Sequence, residues 1–160
     1  MTRPLAALIL VALWLGAALL TVAVVAPGAF AVLPTRALAG EMVGRVLPVV
    51  FAGAILVPAA VLALVPSARR SGVAVTASVA AAVAAGVALW VVNPRIAALR
   101  AAAVVPIDQL SPSDPRRTMF GLWHGVSVAL LGLAMLVLVA LLVQLARAAA
   151  ERAPSTGETR

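Results

Sequence analysis

Apolar residues fall along this chain in four long runs separated by short polar connectors. Pro4 to Thr35, Val46 to Ala68, Ser71 to Pro94 and Thr118 to Ala146 contain no Asp, Glu, Lys or Arg. About 20 apolar residues carry a helix across a hydrocarbon core of about 30 Å, and each run is long enough. In lipid the backbone must satisfy its own hydrogen bonds, which helices do and open strands do not. The pattern predicts an all-α integral membrane four-helix bundle, with helices near 5–28, 42–65, 72–92 and 117–147. Residues 1–147 form one transmembrane domain and 148–160 a polar tail, with no internal repeat and no separate soluble domain.

The first run has the outline of a secretion signal, with Arg3 ahead of it and Ala29-Phe30-Ala31 as a small-residue cleavage site. A signal's apolar region is about 7–15 residues, whereas Leu5 to Ala26 is 22, so a retained transmembrane helix is expected. Trp14 lies in mid-run and is expected to pack against another helix, with Ala12 and Gly16 as a small-residue pair that permits close approach. Pro27 and Pro34 are expected to end this helix, and Thr35 to cap the second. Glu41 and Arg45 stand four apart with the acid first, the favourable order for an intrahelical pair. Pro48 and Pro58 should bend the second helix. The third helix is so rich in alanine that it should lie among the others, with Trp90 near its end as an interfacial aromatic.

Asn93-Pro94 is expected to end the third helix, since the residue before proline avoids the helical region. The same pair can cap a short interfacial helix over Pro94 to Val104, with Arg95 and Arg100 reaching the headgroups. Pro106 to Arg117 reads as a loop, after which Asp114 caps the fourth helix and Pro115 takes its first position.

Composition sharpens the class. The chain is 64% hydrophobic, against about 45–50% for a soluble domain. It has no cysteine, which excludes disulfides and thiolate metal sites. The net charge is +7 and all twelve basic residues are arginine. They are dispersed in ones and twos without a clustered basic face, so no nucleic-acid partner is expected. Arginine in place of lysine, with abundant Ala, Val, Gly and Pro, fits a GC-rich genome and a bacterial cytoplasmic membrane. Four spans put both termini on one side. Arg3, Arg69, Arg70, Arg147, Arg152 and Arg160 lie there, and Arg36, Arg45, Arg95, Arg100, Arg116 and Arg117 lie on the other. The free amino terminus and the compact Arg69-Arg70 turn favour cytoplasmic termini.

The chemistry available is sparse. No paired carboxylates sit in a helix, no glycine loop suits a phosphate, and no Ser/His/Asp set exists, so no enzyme is expected. One histidine without cysteine cannot build a metal site in a single chain, and neither metal nor cofactor is expected. His124 is the only histidine and the one ionisable group inside a run, which makes it a site hypothesis by default. Phe120, His124, Ser127 and Leu131 share a helix face at 4-3-4 spacing, and Gly121, Gly125, Val128 and Gly132 line the next face. Gly16, Gly121, Gly125 and Gly132 are the expected helix-packing glycines. Because alternate helix ends meet on one side, a polar cluster of His124, Ser127, Asn93, Arg45, Arg36 and Arg95 is expected there. His124 should point inward to Asn93, Arg45 or a carbonyl freed by Pro27 or Pro48.

Trp14–Gly16, Ala26-Pro27 with Phe30, Asn93-Pro94, and Phe120 with His124-Gly125 and Ser127 together resemble the small four-helix membrane proteins grouped with transmembrane protein 205, the domain of unknown function 4149 family. The likeness runs over roughly residues 5 to 145. It implies a four-helix integral membrane protein and carries no catalytic residues. The leading expectation is a membrane scaffold or partner subunit in contact with lipid and with other membrane proteins or its own copies. The alternative is a transporter-like or small-molecule-binding bundle with a polar pocket at His124. A haem or copper protein acting as a dimer ranks behind both.

Overall fold

The computed structural model describes residues 3–66 and 71–151, and these form four long helices. They are α1, Arg3–Val32; α2, Arg36–Leu64; α3, Gly72–Ala101; and α4, Pro115–Ala150, each long and apolar enough to cross a membrane. The expected all-α membrane bundle is what the chain forms. Arg69, Arg70, Arg152 and Arg160 lie outside the described residues.

Local chemistry sets most of the helix ends. The Thr35 hydroxyl accepts from the Leu38 amide at 3.2 Å and starts α2. The Ser71 hydroxyl accepts from the Ala74 amide at 3.1 Å and starts α3. Asp114 accepts from the Arg116 amide at 2.8 Å, with Pro115 in the first position of α4. α1 stops where Leu33, ahead of Pro34, turns to an extended ψ of 144°. α2 begins at Arg36, six residues before the sequence placed it, because its first turns are polar enough to lie outside the apolar run.

Two prolines do not end their helices. Pro27 and Pro94 both sit inside continuous helix, and each follows a single π-turn, Thr21–Val25 in α1 and Ala88–Val92 in α3. There the amide of Ala26 reaches back to the Thr21 carbonyl, and that of Asn93 to the Ala88 carbonyl, five residues each. A proline in a regular helix would strike the carbonyl four residues back. The wider turn relieves that clash, so the helix passes through. Asn93 keeps helical angles, φ −58° and ψ −44°, and does not act as a cap. The expected separate interfacial helix is instead the last two turns of α3, Asn93–Ala101.

The bundle is a square in which α1 and α3 each pack on α2 and α4, with α1 diagonal to α3. All four helices bury residues at alternating spacings of three and four: Ala7, Val11, Trp14 and Ala18; Phe51, Ala54, Pro58 and Val61; Ala77, Ala81, Ala84 and Ala88; and Ser127, Leu131, Ala134, Leu138 and Leu141. That period gives the shallow left-handed crossing of four-helix bundles. α3 is the most buried of the four, as its alanines imply.

One contact fixes how α1 meets α2. Trp14 is 7% exposed and donates from its indole nitrogen to the Val50 carbonyl at 3.0 Å. Its ring lies against Gly53, where an added Cβ would stand 2.6 Å from Trp14 Cδ1. Helix association in lipid depends on such close van der Waals approach. Gly16 does not serve this purpose, since a Cβ there would meet nothing within 4 Å.

Candidate functional site

α1 ends, α2 begins, α3 ends and α4 begins at one end of the bundle, and the polar side chains are concentrated there. The core divides at this level. Ala29, Ala39 and Val43 of α1 and α2 form their own small cluster, apart from the main core. The first turns of α4 therefore run beside α3 without the full bundle around them.

This explains where His124 lies. It continues the buried stripe of α4 upward from Leu131 and Ser127, but it is exposed. Its ring stacks on Phe120, with centroids 6.1 Å apart and planes 3° from parallel. The expectation that His124 points into the bundle toward Asn93 or Arg45 is not met, because no helix closes over the stripe at this depth. Ser127, one turn deeper, is buried at 2% exposure.

The expected glycine packing face is corrected as well. An added Cβ at Gly121, Gly125 or Gly132 would meet nothing within 4 Å. These positions point away from the bundle, because Ser127, Leu131 and Ala134 occupy the inward face.

What joins the helices at this end is arginine. The Arg95 guanidinium lies over the Trp123 ring at 4.5 Å, and that of Arg100 over the Phe120 ring at 5.3 Å. Arg100 also donates to the Gly40 carbonyl of α2 at 3.2 Å. Added Cβ atoms at Gly40 and Gly44 would each stand 3.1 Å from its terminal nitrogens. Arg100 thus bridges α2 and α4 from its place on α3. Its role was missed in the sequence, where the pointer was the Gly40/Gly44 pair, two small residues a turn apart.

The remaining candidates are spread around the rim. Arg45 is exposed and pairs with Glu41 at 2.5 Å, in the expected order. Arg36 is exposed at the start of α2. The Asn93 side-chain nitrogen is buried with no partner among the described residues. Arg116 clasps Asp114 at 2.7 Å and donates to the Ala102 carbonyl at 3.2 Å, while Arg117 donates to the Leu110 carbonyl at 2.9 Å. Together they tie the loop between α3 and α4 to the start of α4. Among the described residues no three His, Asp or Glu gather as metal ligands.

Hydrogen bonds from the side chain and amide of Arg116 hold the Asp114 carboxyl below the usual carboxylate range. A carboxyl depressed in the folded state contributes stability that is full above its unfolded value, about 3.9, and lost as pH falls through the folded value. Asp114→Ala should therefore lower the melting temperature at neutral pH. The gap to the parent protein should close as the buffer is acidified below about pH 4. Parallel melts across that range check it, and a gap that widens in acid would contradict the assignment.

A shallow cleft lies at the opposite end, between Val61, Val65, Ser71, Ala74, Gln144 and Ala148.

A family model described as Domain of unknown function (DUF4149) matches residues 9–105, more than half of the chain. The matched segment takes in α1 from residue 9 onward, all of α2 and α3 and both π-turns, and stops before the Phe120–Ser127 stretch. No curated protein and no solved structure matches the chain.

Proposed function

The chain belongs to the DUF4149 family, and from that premise we propose that it works as a small membrane scaffold or partner subunit with no chemistry of its own. The observation carrying this reading is the outward glycine face of α4. Gly121, Gly125 and Gly132 recur at helical spacing, face away from the bundle and have open space beyond them. Such a stripe lets a second transmembrane helix approach closely. Inside, the fully buried residues among those described are apolar except for Thr21, Ser78 and Ser127, with the Asn93 amide nitrogen the further buried polar atom, and Thr21 bonds its own helix at Ala17. That interior offers a transported solute little to bind. The outward turn of His124 removes the main support for a ligand-binding pocket there.

The test is purification in mild detergent of the parent protein and of Gly121→Leu/Gly125→Leu. The parent should carry a stoichiometric membrane protein or a second copy of itself, and the variant should lose it while melting within about 0.5 kcal/mol of the parent, as exposed positions do. A parent chain that is monomeric and carries a bound small molecule would favour the transporter-like reading instead.

The proposal extends to location: a bacterial cytoplasmic membrane, with both termini in the cytoplasm. All twelve basic residues being arginine supports the first part. Reporters fused after Ala150 and within the loop at Ser111–Ser113 should give opposite signals, with the cytoplasmic signal from the first. The reverse pattern would overturn the orientation, and equal signals would overturn four spans.

A further inference from the structure

We propose that the ledge formed by Arg95 and Arg100 on α3 and by Phe120 and Trp123 on α4 binds the phosphate headgroup of an anionic phospholipid. It does not rest on the scaffold reading, because it concerns a different face and a different ligand.

The two arginines are held but not used up. A guanidinium stacked on an aromatic ring engages through its flat face, and its in-plane N–H groups stay free to donate. Arg95 lies over Trp123 and makes no hydrogen bond or ion pair among the described residues. Arg100 lies over Phe120 and gives up a single donor to the Gly40 carbonyl. A guanidinium has about five N–H donors, so most of the donors of this pair have no protein acceptor. Trp123 and Phe120 are three residues apart on α4, which places them as neighbours on one helix face. The two guanidiniums are therefore held on neighbouring rings of one helix face, and an arginine fork matches a phosphate bidentately.

Charge and depth point to lipid as the source of the phosphate. The six arginines at this end, Arg36, Arg45, Arg95, Arg100, Arg116 and Arg117, face only three carboxylates, Glu41, Asp108 and Asp114. Glu41 and Asp114 are already taken by Arg45 and Arg116. Arg95 stands just beyond Trp90, which is 68% exposed in the half of α3 that leads to this end of the bundle. Tryptophans at such positions mark the headgroup level, where basic sites between transmembrane helices take anionic headgroups.

The experiment uses the full chain in neutral detergent. Phosphatidylglycerol, phosphatidylcholine or inorganic phosphate is titrated in, with native mass spectrometry counting adducts and melts recorded in parallel. Phosphatidylglycerol should form a retained one-to-one adduct and raise the melting temperature, whereas phosphatidylcholine and inorganic phosphate should do neither. Arg95→Gln/Arg100→Gln should weaken the adduct by about tenfold or more, taking the contribution of each arginine near an anionic surface. Arg95→Lys/Arg100→Lys, which keeps charge but loses the fork, should fall between. Arg147→Gln, at the other end, should match the parent. Equal retention of phosphatidylcholine, or an unchanged affinity in the glutamine variant, would overturn the proposal. Full protection by inorganic phosphate alone would overturn the lipid source. If the glutamine variant cannot be purified, the headgroup competition on the parent and the lysine variant decide between the same outcomes. Gly121→Leu/Gly125→Leu should bind the lipid normally, so failure here and failure of the scaffold reading are separable.

Discussion

Gly53→Val should destabilise the purified protein by about 3 kcal/mol, the upper part of the range for overpacking a tight core. Even a bare Cβ at residue 53 would stand 2.6 Å from Trp14 Cδ1 and 2.7 Å from its indole nitrogen. The indole cannot simply swing away, since it is 7% exposed and donates to the Val50 carbonyl at 3.0 Å. Moving it would leave that donor unpaired in an apolar interior, which itself costs about 1–3 kcal/mol. The alternative is for α1 to move off α2, which loses contacts from Ala7 to Ala18 along the same face. Pairing the change with Trp14→Leu separates the two effects. The smaller side chain should recover part of the loss at residue 53, although alone it should destabilise. Denaturant or thermal unfolding in detergent reads all four proteins. Strictly additive losses would show that Gly53 and Trp14 are not in contact.

The same glycine shows where sequence reading reaches and where it stops. The four spans were legible because an apolar run of that length has one cheap arrangement in lipid. The caps at Thr35 and Asp114 were legible because their chemistry is local. The direction a small residue faces was not. Gly16, Gly121, Gly125 and Gly132 fit the small-residue pattern as well as Gly53, Gly40 and Gly44, and only the second set is close-packed. A glycine pattern states that a close approach is possible and leaves its azimuth to the larger neighbours. Trp14 and Arg100 are those neighbours here. His124 failed for a related reason. Its spacing from Ser127 and Leu131 correctly placed it on the inward stripe of α4, but burial at a given depth depends on the other three helices. At that depth α1 and α2 pack on each other. Pro27 and Pro94 misled because the usual rule assumes a regular helix ahead of the proline. The π-turns cancel that assumption, and a π-turn has no short sequence signature.

Deleting Val91 should show what the α3 π-turn is for. The turn closes on a hydrogen bond five residues long where a regular helix closes on four, so removing one residue lets Ala88–Val92 return to ordinary helix. The residues after it keep nearly the same azimuth and height, because a five-residue π-turn advances the chain about as far as four α-helical residues do. The cost falls on Pro94, which then meets the carbonyl four residues before it, worth about 3 kcal/mol in a regular helix. The deletion should therefore destabilise the protein by about that amount, and adding Pro94→Ala should recover most of the loss. Thermal unfolding in detergent of the parent, the two single variants and the combination reads this, and strictly additive effects would show that the π-turn does not serve the proline. The chain lacks cysteine, so engineered pairs report register cleanly. Cysteines at 95 and 123, joined by a short bismaleimide, should cross-link alike at native length and in the deletion combined with Pro94→Ala, since residue 95 keeps its place against Trp123. A several-fold drop would mean that the turn also sets the rotation of the last two turns of α3. The expected result gives the wide turn a definite structural role: it lets a proline stay in mid-helix without moving the arginines that follow it.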